Sequence, residues 1–119
     1  MNNIYSDDMR ELIDIKLETT RAICHTIINS NLTDLSGPAK LEFADMIELV
    51  AILMLDYAGE FPEEWTSDQL IDIYHFKLPT LLEPAARQNM KAIILTYVAV
   101  VGEALELPNY MEIKKNLAS

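Results

Sequence analysis

The chain has 119 residues, half of them apolar, with 3 Gly and 5 Pro. That length supports one core without a disulfide or metal staple, while the scarcity of turn residues disfavours a sandwich or barrel, which needs a turn about every 8–12 residues. Against 19 acidic residues stand 9 basic ones, a net charge of −10 that opposes binding to nucleic-acid phosphates or an anionic membrane surface.

The start, Met1 to Asp8, lacks a basic segment followed by an apolar run, so it does not read as a signal peptide. Ser6 is placed to cap a first helix running to about Asn29, with Asp7, Asp8 and Glu11 near its positive end. Met9, Leu12, Ile13, Leu17, Cys24, Ile27 and Ile28 recur on it every three or four residues, with Thr20 between, and make its apolar stripe. Asp14, Glu18, Arg21 and His25 take the other face.

The segment from Asn31 to Pro38 breaks the pattern. Pro38 suits a helix start, because the N–H it lacks has no partner there. The second helix is expected from about Ala39 to Ala58, closed by Gly59 as a left-handed cap. Between Met46 and Ala58 only Glu48 and Asp56 are charged, so this helix is apolar on nearly all sides.

Thr66 and Gln69 have the spacing of a capping box, and Trp65 and Leu70 that of a hydrophobic staple. They predict a third helix of about 12 residues, with Leu70, Ile73, Tyr74 and Leu78 inward and a stop by Pro79. Pro84 opens a fourth helix to about Leu107. Its middle, Ala92 to Val101, is again apolar all round but interrupted by Thr96, and it is too short to cross a bilayer, which takes about 20 residues. Asn109 and Glu112 repeat the capping-box spacing ahead of a short C-terminal helix to about Leu117. The expectation is an all-α fold: four main helices plus a short fifth in one compact bundle, a single helical domain over residues 1–119.

Two helices apolar on all sides exceed what a small bundle encloses when its third helix is short. Contiguous apolar surface marks association sites, so a homo-oligomer is expected, most simply a two-fold dimer. An intracellular, cytoplasmic location follows from the absence of targeting and spanning signals.

The charge pattern is the other unusual feature. No basic residue lies between Lys40 and Lys77, whereas Glu42, Asp45, Glu48, Asp56, Glu60, Glu63, Glu64, Asp68 and Asp72 do. Such a segment attracts a cation or a basic protein surface where several carboxylates share a face, and otherwise keeps an apolar helix hydrated. Glu42, Asp45 and Glu48 recur every third residue and fan over roughly a third of the helix circumference, an arrangement compatible with magnesium. The spacing resembles that in the all-helical nucleotide pyrophosphohydrolases, which set acidic clusters on neighbouring helices. The nearest second cluster here is Asp7, Asp8 and Glu11, which serve the helix dipole equally well.

Asp68, Asp72 and His75 share a face of the third helix at metal-ligand spacing, a pattern that any polar helix surface also produces. Tyr57, Phe61 and Trp65 read as a pocket lining or, more simply, as packing at the helix junction. The single cysteine, Cys24, excludes an internal disulfide and a multi-cysteine zinc site. Adjacent His25 points about 100° away from it, so the two form no dyad. Glycines only at 37, 59 and 102 leave no phosphate-binding loop. The residues therefore point to an acidic helical interaction or regulatory module without a cofactor, which self-associates and is suited to a basic protein partner. The alternative is a metal-dependent hydrolase of a phosphorylated small molecule with Glu42, Asp45 and Glu48 as magnesium ligands.

Overall fold

A computed structural model describes residues 7–30 and 35–118. Ser6, expected to cap the first helix, and residues 31–34 of the first loop lie outside them. The described residues are all-α: α1 (Asp7–Asn29), α2 (Gly37–Ala58), a 3₁₀ turn (Pro62–Glu64), α3 (Ser67–Asp72), a π-helical segment (Ile73–Lys77), α4 (Leu78–Leu81), α5 (Pro84–Ala104) and α6 (Pro108–Ala118). None of these helices is long and apolar enough to cross a membrane.

The caps of α2 are those its sequence announces. The Ser36 hydroxyl accepts from the Ala39 N–H at 3.3 Å, and Pro38 occupies the first turn. Gly59 sits at φ 66°, and this left-handed residue lets the Glu60 N–H turn back to the Met54 carbonyl. The C-terminus of α5 uses the same device without glycine. Glu106 takes φ 53°, Leu107 N–H donates to the Gly102 carbonyl and Glu106 N–H to that of Glu103, the paired bonds of a Schellman motif. That turn ends α5 at Ala104 rather than near Leu107.

Three local expectations are corrected. Thr66 does not close a capping box with Gln69: its hydroxyl and its N–H both bond the Glu60 carboxylate, while Glu64 reaches back to the Phe61 N–H at 3.0 Å. The carboxylates of the preceding turn are closer acceptors than the chain ahead. Helical backbone also continues past Pro79 to Leu81. The Leu78 N–H bonds the carbonyl of Ile73, five residues back, and this wider π turn makes room for a proline that an α-helical interior would exclude. Finally, α6 begins at Pro108, where a missing N–H costs nothing, so Asn109 lies inside the helix and is not its cap.

The helices bury one apolar core. Phe43, Ile47, Val50 and Met54 from α2 meet Met90, Ile93, Ile94, Tyr97 and Val98 from α5, with Leu70, Ile73 and Leu78 closing one end. Tyr110, Ile113 and Leu117 bring α6 onto α3 and α5. The approach of α6 to α5 is set at Gly102, where a Cβ would stand 2.7 Å from that of Tyr110. From the other side α1 packs along α2 through Thr20, Cys24 and Ile27 but only grazes α5. Met9 and Leu12, expected in the buried stripe of α1, are 38% and 39% exposed. Leu12 points about 100° round from Ile13 and borders the space between α1 and α5 instead.

Candidate association surface and the acidic segment

The space between α1 and α5 is an open groove. In its larger part the short side chains of Thr19, Ala22, Thr26 and Ser30 on α1 and Ala104 on α5 stand among Ile23, Ile27, Val100, Val101 and Leu105. Short side chains cannot close a gap between helices that touch only lightly, and a hollow of about 470 Å³ remains. A second hollow of about 420 Å³ continues it toward the start of α1, sharing Thr19, Ile23, Val101 and Leu105 and adding Leu12 and Ile15. Ile15 and Leu105, 52% and 57% exposed, stand on its rim. The two apolar helices are thus largely but not wholly enclosed: Val100 and Leu95 of α5 are half-buried, and Leu41 and Ile52 of α2 are exposed.

The acidic segment is less isolated than its sequence implies, because α1 supplies the missing positive charge. Arg21 lies 2.6 Å from Asp45 and 3.1 Å from Glu48. Lys16 pairs with Glu63 and also lies over the Phe61 ring at 5.4 Å. Two of the three candidate magnesium ligands therefore face a guanidinium, which provides the counter-charge a divalent ion would bring. Glu42 Oε2 is buried without a hydrogen-bond partner. Among the described residues no three His, Cys, Asp or Glu side chains converge as a metal site would require; Asp68, Asp72 and His75 are all exposed.

A smaller dip of about 280 Å³ between α2 and the π segment is lined by Tyr57, Gln69, Asp72, Ile73, Phe76 and Lys77. Tyr57 and Phe76 are exposed, and the Lys77 ammonium sits 4.3 Å above the Tyr57 ring, a cation–π contact. Of the aromatics grouped from sequence, Trp65 belongs elsewhere: it is fully buried, stacked against Tyr110 at 5.9 Å and tilted against Tyr97 at 5.7 Å. Tyr110 donates its hydroxyl hydrogen to the Pro62 carbonyl, which ties α6 to the turn before α3.

No protein-family model matches the chain, and neither a curated protein nor a solved structure matches it.

Cys24 is buried and free, and burial pushes its thiol from 9.0 up to about 12. A thiol held neutral in this way is a poor nucleophile. Burial likewise raises Tyr97 and Tyr110 well above the ordinary tyrosine value, so neither is poised as an acid–base group near neutrality. The groove itself was not legible in the chain. Thr19, Ala22 and Thr26 lie at steps of three and four, but small residues on one face signal a cleft only once the facing helix is known.

Proposed function

We propose that this protein is a self-associating helical interaction module, and that copies join through the groove between α1 and α5. The observation that carries this reading is the groove's continuity: apolar surface runs from Leu12 to Ala104 across two helices with exposed aliphatic residues on its rim. Burying it removes apolar area from water at roughly 25 cal/mol per Å². The buried, unpaired Cys24 suits a reducing compartment, and we place the protein in the cytoplasm. Sedimentation equilibrium across a wide concentration range tests the reading. A concentration-dependent dimer is expected, and a monomer at every concentration overturns it.

A basic protein partner is the second reading, favoured by the dip at Tyr57 and Phe76. The chain's own Lys77 already rests its ammonium there over the Tyr57 ring, in a dip that Asp72 also lines. A lysine-rich peptide should then bind in a salt-sensitive way and lose affinity in Tyr57→Ala; salt-indifferent binding removes this reading. The magnesium-dependent hydrolase through Glu42, Asp45 and Glu48 would first require Arg21 to leave its carboxylates. An unchanged melting temperature on adding magnesium or manganese, with or without nucleotide, removes it.

A further inference from the structure

We propose that the dip between α2 and the π segment takes a trimethylated lysine of a basic protein partner; this inference rests on the basic-partner reading above and names the side chain bound. The π turn shapes the surface. Ile73 and Leu78 are both buried although they lie five residues apart, a step that would set them about 140° apart on an α-helix. The wider turn brings both onto the core and leaves His75, Phe76 and Lys77 exposed in succession. Such turns recur at functional sites. Phe76 is 70% exposed and Tyr57, reaching the same dip from α2, is 58% exposed. Asp72 lines the dip beside them. Two open rings with a carboxylate at hand form a surface that attracts an organic cation.

The chain supplies such a cation itself. The Lys77 ammonium sits 4.3 Å above the Tyr57 ring. Lys16, the other lysine over a ring, also pairs with a carboxylate, Glu63. Among the described residues Lys77 joins no ion pair, so on its flexible four-carbon stem it can leave the ring. It is nevertheless a tethered competitor, present at an effective concentration on the order of millimolar. An unmodified lysine from outside would replace one ammonium by an identical one and gain little at the ring. Trimethylation keeps the charge but makes the head apolar and weakly hydrated, so less hydration is lost when it settles on the rings. A small free cation would have only an open dip of about 280 Å³ to hold it. A peptide also lays basic neighbours along Asp68 and Asp72, both exposed and one turn apart on α3.

A lysine-rich peptide in two forms, its central lysine unmodified or trimethylated, tests the inference by calorimetric titration of the full chain. The trimethylated form should bind at least about fivefold more tightly, the scale of a cation on an aromatic face. Methylation leaves the charge unchanged, so a general attraction to the acidic surface treats the two forms alike. Tyr57→Leu should erase the preference, and Tyr57→Phe, which keeps the ring, should retain it. Lys77→Gln removes the competitor and should tighten the trimethylated peptide by about threefold or more beyond any gain in Lys114→Gln. Lys114 lies on α6 outside the dip, and its substitution makes the same change in net charge. All three positions are exposed, so each variant should keep the native circular dichroism. Equal affinity for the two peptides overturns the inference and leaves the basic-partner reading standing. A preference that persists in Tyr57→Leu, or a Lys77→Gln gain no larger than that of Lys114→Gln, overturns it as well. Failure of both peptides to bind overturns both.

Discussion

The two sides of α5 are finished in opposite ways. Toward α6, large rings fill the space: Trp65, Tyr97 and Tyr110 lie within 5.7–6.3 Å of one another, and Gly102 lets the backbones close on Tyr110. Toward α1, short side chains on α1 and Ala104 on α5 stand across a gap and leave the groove. The middle of α5, Ala92 to Val101, is apolar all round but for Thr96, so both sides call for a neighbour. Only one side has a fully fitting neighbour within the chain. The difference is one of side-chain volume rather than polarity, since both sides are lined mainly by apolar atoms.

Breaking the sealed side should cost most. Trp65→Ala removes a fully buried ring and is expected to lower unfolding stability by about 3–5 kcal/mol, measured by urea denaturation. Trp65 Nε1 has no hydrogen-bond partner, so Trp65→Phe, which leaves no donor unpaired, should lose distinctly less. A loss of less than about 1 kcal/mol for the alanine variant would mean that the aromatic cluster does not seal this side of the core.

Alkali should loosen the core on both sides of α5. Cys24, Tyr97 and Tyr110 all have folded-state pKa values raised by burial, so the unfolded chain releases their protons first. Stability is then fully present below pH 9 and falls as the pH rises from the ordinary value of 9.0 toward the folded value of about 12 for Cys24. Each such group contributes a slope of about 1.4 kcal/mol per pH unit within its own window. Denaturation midpoints flat between neutral pH and strong alkali would contradict the burial of these groups.

Gly102→Ala tests the close approach of α5 and α6 directly. The added Cβ meets that of Tyr110 at 2.7 Å, part of a main-chain-anchored contact rather than a flexible tip, so a loss of about 1–3 kcal/mol is expected from overpacking. Helix propensity alone would favour alanine by up to about 1 kcal/mol. A stabilised variant would therefore show that the two helices separate without cost.

On the groove side the effect on folding should be small and the effect on association large. Ile15→Glu alters an exposed position and is expected to change unfolding stability by no more than about 0.5 kcal/mol while dissolving the dimer in sedimentation. Strong destabilisation without a change in association would assign Ile15 to the core instead. Salt sharpens the same point: with a net charge of −10 on each chain, raising ionic strength should tighten self-association by screening repulsion while leaving apolar contact intact.

Much of this was readable in the chain, and for local reasons. The ends of α2 follow from Ser36, Pro38 and Gly59, because caps depend on a few neighbouring residues. The surplus of apolar surface on α2 and α5 was visible as runs without charge. What failed also failed locally: Thr66 found a carboxylate six residues back in Glu60 rather than Gln69 ahead, and the π turn carried the helix through Pro79. Both outcomes depend on competing partners that a spacing rule does not rank.

Composition and periodicity by themselves determined an all-helical chain, its acidity and the two helices that hold its core, since these depend on residue type and on neighbours within a turn. Only the tertiary structure decided which carboxylates are matched and where the apolar surplus emerges. Arg21 and Lys16 reach Asp45, Glu48 and Glu63 from a different helix, and the groove exists because short side chains on α1 and Ala104 on α5 happen to share one gap. Volume left between two helices belongs to neither sequence segment alone; it is fixed by how closely the rest of the core allows them to approach.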